Sequence, residues 1–427
     1  MLLPNHRNYA NIARTVDNPE SDGQNLQHFM SDSPWQAQTV FDRLQADIRA
    51  DPRLQGGMLS LDESGDVRSG DQSAGAAHQY IGNVGKVALG QVGVALSYYA
   101  AHTWTLVDAE LFLPEIWFDE AHRKLHRKFH IPKDRQFKTK LAIGLELIDR
   151  ARQRGLPFAR VSCDALYGQS HEFRAALAQR DLPYMADIPG DLPIYLQEPV
   201  VGIPPKGAMG RPPSRWQVLY GVESVEARAI AQMPETTFEA TNVRFCERGQ
   251  LCYECAVRPG WTITPEGKVR RESDGSISYS LTNEPETMTL STLALWRSER
   301  YFVERTFQDA KSEGGWDELI ARKYRAWIHH TALDALALWF VAQTKLNWAE
   351  QHPVDPQLAK EFQIEKLPSL SMANIRLLLQ AVLPLPQWSK EQAINLVVKH
   401  LVNRSASTRS RRKKQVKERK RKRKNLT

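Results

Sequence analysis

The sequence predicts a mixed α/β protein in which a central sheet carries helices on its faces. The first observation is the order of segments within residues 58–188, where strand-like stretches are followed by helix, strand, helix and strand. The second is a break after Pro189, where a Pro/Gly-rich stretch leads into short segments typical of antiparallel strands. The third is the return of long helical periodicity at about 289–313 and 322–349.

The first half of the chain supplies the predicted sheet. Apolar spacing predicts a helix over residues 25–49, and a short apolar strand then ends at Asp62 before a Gly/Ser/Asp-rich loop that runs to Gly75. Glu63 and Asp66 are interpreted as acids of this loop, with a place in a metal site as the minor alternative. The elements expected next are strands at 78–86, 89–100 and 103–113, a helix at 138–154, a strand at 158–164, a helix at 170–180 and a strand at 183–188.

A predicted β insertion separates this sheet from the later helices. Its cleanest signal is the alternation of Ile277, Tyr279 and Leu281 with hydroxyl-bearing residues, which is typical of a half-buried strand. The strands expected in the insertion are 216–222, 237–246, 251–257 and 277–283.

Composition and charge place the chain among ordinary globular proteins, with 427 residues, 42% hydrophobic and 25% charged. The formal net charge of +8 comes from the tail, because Arg404–Lys424 holds 13 basic residues against the single acid Glu418. Residues 1–403 hold 44 basic and 48 acidic residues, a net charge of −4. The tail is suited to sequence-independent attraction to DNA, and RNA or another polyanion would fit it equally.

Cysteine usage and hydropathy predict the compartment. Four cysteines in a chain of this length indicate a reducing environment, and the N-terminus has no apolar segment typical of a signal peptide. No stretch is long and apolar enough to predict a membrane span. We therefore expect a cytoplasmic, nucleoid-associated protein without a membrane partner.

Three acidic residues are candidates for holding divalent metal ions: Asp62 and Asp164, each predicted to end a strand, and Glu304 on a helix. Metal ions that act on phosphate are hard cations held by carboxylate oxygens from distant segments, often as a pair. On the helix, Arg300, Glu304 and Lys311 fall within roughly 60° of one another. A solvated face with salt bridges is the alternative interpretation of that helix pattern.

Four blocks around these acids resemble the bacterial insertion-sequence transposases of the DDE type. They are LSLDESG at 59–65, QYIGNVGKVALGQVGV at 79–94, CDALYG at 163–168 and VERTFQDAK at 303–311. In the branch of this family with a β insertion before the glutamate, the last motif reads Tyr-x2-Arg-x3-Glu-x6-Lys. Arg300, Glu304 and Lys311 match that spacing, whereas Arg297 stands at the tyrosine position.

The resemblance implies an RNase-H-like core and Mg²⁺-dependent cleavage and strand transfer at the ends of a DNA element, with Mn²⁺ as a possible substitute. It assigns catalysis and metal binding to Asp62, Asp164 and Glu304, and phosphate contacts to Arg300 and Lys311. The implied partners are double-stranded DNA, as terminal inverted repeats and target, and a second copy of the chain in a synaptic dimer. A catalytically inactive or repurposed DNA-binding protein derived from a transposase is the alternative.

The predicted domain organisation combines these patterns with the resemblance. The parts are a helical segment interpreted as a shortened end-binding region (1–54), the first part of the catalytic core (55–190), a β-rich insertion (191–288), the rest of the core with the Glu304 helix (289–350), a C-terminal helical region (351–403) and a disordered basic tail (404–427).

Several weaker motifs have a functional and a structural interpretation. The basic stretch 123–140 predicts DNA-phosphate contacts, above all by Lys138 and Lys140, although a solvated face is the alternative. The structural interpretation is favoured for the remaining motifs. These are a zinc set at Cys246, Cys252 and Cys255, a minor-groove hook at 210–212, base stacking by Trp216 and Trp261, and catalysis by His329 and His330.

Overall fold

The structure, a computed structural model, describes residues 8–16, 21–203, 217–219, 222–246, 249–262, 265–271, 277–285, 287–318, 322–351 and 371–382, with isolated positions outside these ranges. They belong to two compact units, one formed by 1–34 with 373–427 and the other by 35–372. The 210–212 motif, Trp216 and most of the basic tail lie outside the described residues.

Fourteen strands occur among the described residues. They are β1 (Gly57–Val67), β2 (Ala77–Ile81), β3 (Lys86–Ala100), β4 (Thr103–Phe112), β5 (Phe158–Cys163), β6 (Tyr184–Ile188), β7 (Pro193–Ile194), β8 (Val201–Gly202), β9 (Gln217–Val218), β10 (Val225–Glu226), β11 (Glu239–Cys246), β12 (Gly249–Trp261), β13 (Pro265–Arg271) and β14 (Ile277–Thr282).

The longest helix of the described residues, with 28 residues, lies in the second half of the chain. In order, the helices are α1 (Tyr9–Val16), α2 (Gln24–Ser31), α3 (Ala37–Ala50), α4 (Glu120–Arg123), α5 (Lys140–Gln153), α6 (Ala165–Gly168), α7 (His171–Ala178), α8 (Ala227–Ile230), α9 (Leu290–Glu299), α10 (Tyr301–Asp309), α11 (Tyr324–Gln351) and α12 (Met372–Val382). A wider π-type turn, Ala310–Gly314, continues α10.

The core sheet has the order β4-β3-β1-β5-β6, and β2 also pairs with β3. β1 runs antiparallel to β3 and parallel to β5, and β5 runs parallel to β6. Helices α5, α10 and α11 contact this sheet. The predicted fold class, an RNase-H-like mixed sheet with flanking helices, is confirmed.

The insertion is built onto this same sheet. Strands β11 to β14 form an antiparallel series, and β14 pairs antiparallel with β6 through Ser280 and Asp187. Strand β13 was not predicted, because its sequence PEGKVRR carries little apolar periodicity. The insertion therefore extends the core sheet and brings a hydroxyl-bearing strand beside β6.

Alternation along β1 decides which groups face which helix, because successive side chains of a strand point to opposite faces. Met58 packs with Tyr99 and with Phe302 of α10 on one face. Leu61 lies on the other face, where a Cβ added to Gly144 of α5 would come within 2.5 Å of it. Asp62 consequently belongs to the α10 face and Glu63 to the α5 face.

Several predicted elements differ from the structure, among them the strand expected at 78–86, which ends at Ile81. Strand β1 does not end at Asp62 but continues to Val67, because pairing with β3 extends from Glu63↔Val94 to Val67↔Gly90. The predicted loop position of Glu63 and Asp66 is therefore wrong. The helix expected over 25–49 is divided into α2 and α3, and the one over 289–313 changes at Arg300 from α9 to α10.

None of the described helices is both long enough and apolar enough to cross a bilayer.

Candidate active site

Strand register brings Asp62 and Asp164 together. The parallel pairing of β1 with β5 ends with Leu61 opposite Cys163, and each aspartate is the next residue of its strand or the residue just after it. Asp164 directly follows β5, as predicted, whereas Asp62 lies within β1. The two predicted acids therefore come from neighbouring strands at one position across the sheet.

Asp164 also begins the short helix α6. Its carboxylate accepts hydrogen bonds from the backbone N–H groups of Leu166 and Tyr167, at 3.1 and 3.5 Å. This is the geometry of an N-cap, which favours an acidic or amide side chain at the position before a helix. The cap fixes the carboxylate at the C-terminal end of β5. The motif CDALYG therefore has a structural role in addition to any chemical one.

Gly168, the last residue of that motif, lies against β6. A Cβ added there would come within 1.8 Å of the backbone oxygen of Asp187. Even alanine would therefore force α6 away from β6, and with it the Asp164 cap. The glycine of the motif is explained by this close approach and not by an unusual backbone angle.

Burial and like charge raise the pKa of Asp62. Burial contributes most, and the nearby carboxylate of Asp164 adds to it, so the pKa rises from 3.8 to about 7 although the Arg300 guanidinium opposes the shift. Burial likewise raises the pKa of Asp164, against the opposing effect of Arg300. The two carboxylates therefore form an anionic pair whose charge is incompletely balanced.

This shift predicts a pH-dependent stability for the metal-free protein. Because the folded-state pKa of Asp62 exceeds its ordinary value, the free energy of unfolding decreases as the pH rises from about 4 to 7. We expect Asp62→Asn to remove that loss and to be more stable than wild type at pH 8, by on the order of 1–3 kcal/mol. Thermal unfolding in EDTA between pH 4 and 8 measures it. A variant less stable than wild type at pH 8 would contradict the prediction.

Glu304 reaches this pair through an arginine. One Nη of Arg300 lies 3.4 Å from Asp62 Oδ2, and the other lies 3.4 Å from Glu304 Oε1. The Arg300 side chain is only 14% exposed, whereas that of Glu304 is 58% exposed. Arg300 and Glu304 lie on one helix face, as predicted. The Arg300 guanidinium lies between Glu304 and Asp62.

The donor set fits hard divalent cations, although it is not assembled as a finished cage. Among the described residues, no three histidine, cysteine, aspartate or glutamate side chains already converge as a metal-binding group. The donors nearby are carboxylate oxygens, which Mg²⁺ and Mn²⁺ prefer. Burial and the nearby Asp164 carboxylate raise the pKa of Asp62, and a bound cation would offset both effects at the place where Arg300 lies in this structure.

The opposite face of β1 carries a separate cluster around Glu63. Its carboxylate lies 2.6 Å from Lys140 Nζ and accepts a hydrogen bond from the Tyr167 hydroxyl at 3.3 Å. Burial raises the pKa of Glu63, while Lys140 lowers it. Lys140 is thus the ion-pair partner of Glu63, the residue that follows Asp62 on β1.

The other predicted DNA-binding lysines also contact acids. Lys138 Nζ lies 2.5 Å from Glu146, and Lys311 Nζ lies 3.4 Å from Asp66 on β1. Lys311 is on the π-type turn that follows α10, and its amine also donates to the Gly65 carbonyl at 3.5 Å. Phosphate contacts by Lys138, Lys140 and Lys311 remain predictions.

Asp187 of β6 was not singled out from the sequence, although it lies in this site. It forms ion pairs with Arg297 Nε at 2.7 Å and Arg300 Nε at 2.8 Å, and it accepts a hydrogen bond from Ser280 at 2.7 Å. A signal was available in the strand YMADI, because a lone acid within a buried apolar strand requires a charged or polar partner.

The weaker motifs have structural positions. Cys252 is exposed and Cys255 is buried, as expected for residues three apart on one strand. His329 stacks on Trp35 with ring centroids 3.8 Å apart, and His330 lies 3.0 Å from Asp334 in an ion pair. These contacts support the structural interpretation of the two histidines. The side chain of Trp261 lies outside the described part of the chain.

Comparison with known proteins identifies the family independently of the geometry. A family model described as a DDE superfamily endonuclease matches residues 1–249. The chain is also 24% identical over 306 residues to a probable transposase for insertion sequence element IS701 from Microchaete diplosiphon, covering 70% of this chain and 69% of that protein. The family match spans Asp62 and Asp164 but ends before Glu304. The assignment of Glu304 to the site therefore rests on its motif spacing and on its contact with Arg300. The chain belongs to the DDE superfamily of endonucleases.

Proposed function

We propose that this protein is a DNA transposase that cuts and joins DNA at the ends of an insertion sequence with Mg²⁺, for which Mn²⁺ can substitute. The observation that carries the proposal is the placement of Asp62 and Asp164 on neighbouring strands with mutually unfavourable charge. Family membership and the similarity to an insertion-sequence transposase support it.

Asp62, Asp164 and Glu304 would hold the metal ions. Bound there, the ions would polarise phosphate oxygens and activate the attacking water or 3′-hydroxyl. Glu304 is the most exposed of the three acids and lies on α10, whereas the two aspartates belong to the sheet. This arrangement gives the site two fixed ligands and one that reaches it from a helix.

Arg300 and Lys311 would hold DNA phosphates. Arg300 presents both Nη groups to carboxylates in this structure, so neutralisation of those acids would free the Nη groups for a phosphate while Nε stays near Asp187. Lys311 would act from the π-type turn, about three helical turns after Arg300. Lys138 and Lys140 would contact phosphates on the α5 side of the sheet.

The substrate would be double-stranded DNA carrying the terminal inverted repeats, together with a target duplex. Strand transfer joins two element ends to one target, which requires two active sites in one complex. We therefore include a homodimer in the proposal, with the protein acting in the cytoplasm on the nucleoid. The insertion strands β11 to β14, continuous with the core sheet, would lie beside the bound DNA end.

The test is metal-dependent cleavage of the element's own ends. Purified protein is incubated with duplexes that carry the terminal repeats flanking its gene, and with scrambled duplexes, in Mg²⁺, Mn²⁺ or EDTA. We expect nicking at the repeat ends only with metal, and none by Asp164→Ala. Binding of the repeats without any cleavage would support the repurposed DNA-binding protein instead. Cleavage that persists in Asp164→Ala would exclude the proposed site.

A further inference from the structure

Three aspartates, not two, form a row across the parallel strands. The pairing of β5 with β6 ends with Cys163 opposite Ala186, so Asp187 follows in the same register as Asp164. The pairing of β1 with β5 places Asp62 in that register as well. Asp187 is nevertheless different from the other two, because two arginines contact it.

Asp187 is the nearest carboxylate to Arg300. The distance from Arg300 Nε to Asp187 Oδ2 is 2.8 Å, whereas the distances from its Nη groups to Asp62 and Glu304 are both 3.4 Å. Arg300 Nε makes no aligned hydrogen bond there, so this contact is an ion pair that draws the guanidinium toward β6 by charge. The ion pair with Asp187 therefore determines where the guanidinium lies relative to the other two acids.

Arg297 completes the contact from one helical turn earlier. Its Nε lies 2.7 Å from Asp187 Oδ1, which also accepts the hydrogen bond from Ser280. The Arg297 side chain is 14% exposed and that of Asp187 is 11% exposed, so these charges are largely removed from water. Neutralising one partner of a buried ion pair strongly destabilises the fold, because the other charge is left buried without compensation. Arg297 and Arg300 thus fasten the junction of α9 and α10 to β6, one turn before Glu304.

We propose that Asp187 is a positioning residue of the active site, which orients Arg300 and holds the Glu304 helix, with Arg297 as its second anchor. This inference rests on the proposed function. It also gives a role to Arg297, the position at which the sequence departs from the family motif. Without the Asp187 charge, the guanidinium keeps its contacts with Asp62 and Glu304 at 3.4 Å and the attraction of the Asp164 charge, so it would compete with a metal ion for these acids.

The first test is the metal dependence of Asp187→Asn. Asparagine keeps an acceptor for Ser280 and removes only the charge. We expect the Mn²⁺ concentration that half-saturates cleavage to rise by about 10–100-fold, the usual effect of a group that orients a ligand. The KM for DNA is expected to rise by only about twofold, because the variant disturbs one phosphate contact, that of Arg300, and leaves the lysines intact. An unchanged half-saturating concentration would overturn the proposal.

Two further variants separate positioning from general stability. Asp149→Asn is the matched control, since it removes an aspartate paired with Arg180 at 2.7 Å on α5, and it should keep wild-type metal dependence. Asp187→Glu retains the charge and should recover most of the lost metal affinity. Should Asp187→Asn fail to fold, Asp187→Ser, which keeps an oxygen acceptor without charge, is measured with the same expectations.

A double-mutant cycle tests whether Asp187 acts through Arg300. In an Arg300→Gln background there is no guanidinium to orient, so adding Asp187→Asn should change the half-saturating Mn²⁺ concentration by less than about threefold. Interaction between contacting residues appears as such non-additivity. Equal effects of Asp187→Asn in both backgrounds would overturn the positioning role.

A readout without DNA keeps this inference distinct from the proposed function. Thermal stabilisation of the DNA-free protein by Mn²⁺ reports metal binding directly. We expect a smaller rise in Tm for Asp187→Asn than for wild type, and a wild-type rise for Asp149→Asn. If wild type binds Mn²⁺ but cuts no repeat duplex, the proposed function fails. If wild type cuts and Asp187→Asn binds Mn²⁺ like wild type, only the positioning role fails.

Discussion

Asp164→Asn is expected to lower metal-dependent cleavage by about 10³-fold or more, equivalent to about 4 kcal/mol in the activation barrier. The physical reason is the loss of a charged oxygen ligand at the position shared by β1 and β5. Asparagine can still accept the backbone hydrogen bonds that cap α6, so the fold around the site should persist. Single-turnover cleavage of the repeat duplex measures the loss.

Comparison with Asp164→Ala divides this effect into two parts. Alanine removes both the charge and the cap, and loss of a cap costs about 1 kcal/mol of stability. We therefore expect both variants to be equally inactive, with a lower Tm for Asp164→Ala alone. Substantial cleavage by Asp164→Asn would contradict a metal-holding role, whatever the behaviour of Asp164→Ala.

Arg150→Met is expected to destabilise the protein by about 3–5 kcal/mol, the usual result of removing one partner from a buried ion pair. Arg150 of α5 contacts both carboxylate oxygens of Asp108 at 3.0 Å and reaches Glu110 at 3.3 Å. Asp108 is 1% exposed, and its nearest other cation is Arg154 at 3.9 Å. Methionine fills similar volume, so the measured loss reports mainly the uncompensated charge. Urea unfolding measures it.

The pH dependence of Arg150→Met supplies a second signature. Burial already raises the pKa of Asp108, while Arg150 lowers it, so removing the arginine raises that pKa further. The folded variant then binds a proton more tightly than the unfolded chain, and its deficit relative to wild type should shrink as the pH falls. Arg150→Met combined with Asp108→Asn should recover part of the stability. A double variant as unstable as the single one would contradict this account.

Arg180→Met is the matched control for this stability prediction. Its partner Asp149 is 35% exposed, so the ion pair lies near solvent and should contribute less than about 1 kcal/mol. A loss of stability as large as that of Arg150→Met would show that substituting any arginine paired with an acid destabilises the protein, irrespective of burial.

Local patterns in the sequence predict most of the sheet but not the length of β1. Residues Glu63–Val67 have the composition of a loop, with serine, glycine and two acids. They form a strand because β3 pairs with them over their whole length. That pairing is a long-range contact, so composition alone favours the wrong element. The same limitation hides β13, which is held by β12 and β14 on either side.

The candidate site was predicted from motifs, whereas its electrostatic links were not. Spacing relates Arg300 to Glu304 and Lys311, because they belong to one helix. It carries no information on the contact between Arg300 and Asp187, which depends on how α9 and α10 lie on β6. For the same reason, the departure from the motif at Arg297 has a meaning only once its partner on the sheet is known.

The continuity of the insertion with the core sheet has a consequence for protein synthesis. A chain emerging from the ribosome can pair β6 with β5 early, but the other edge of β6 stays open until β14 has been made. Open strand edges are templates for pairing with other chains. We expect genes interrupted within the insertion to produce aggregating fragments, seen as loss from the soluble fraction, and not inert monomers. The insertion would then cover the open edge of β6 during synthesis.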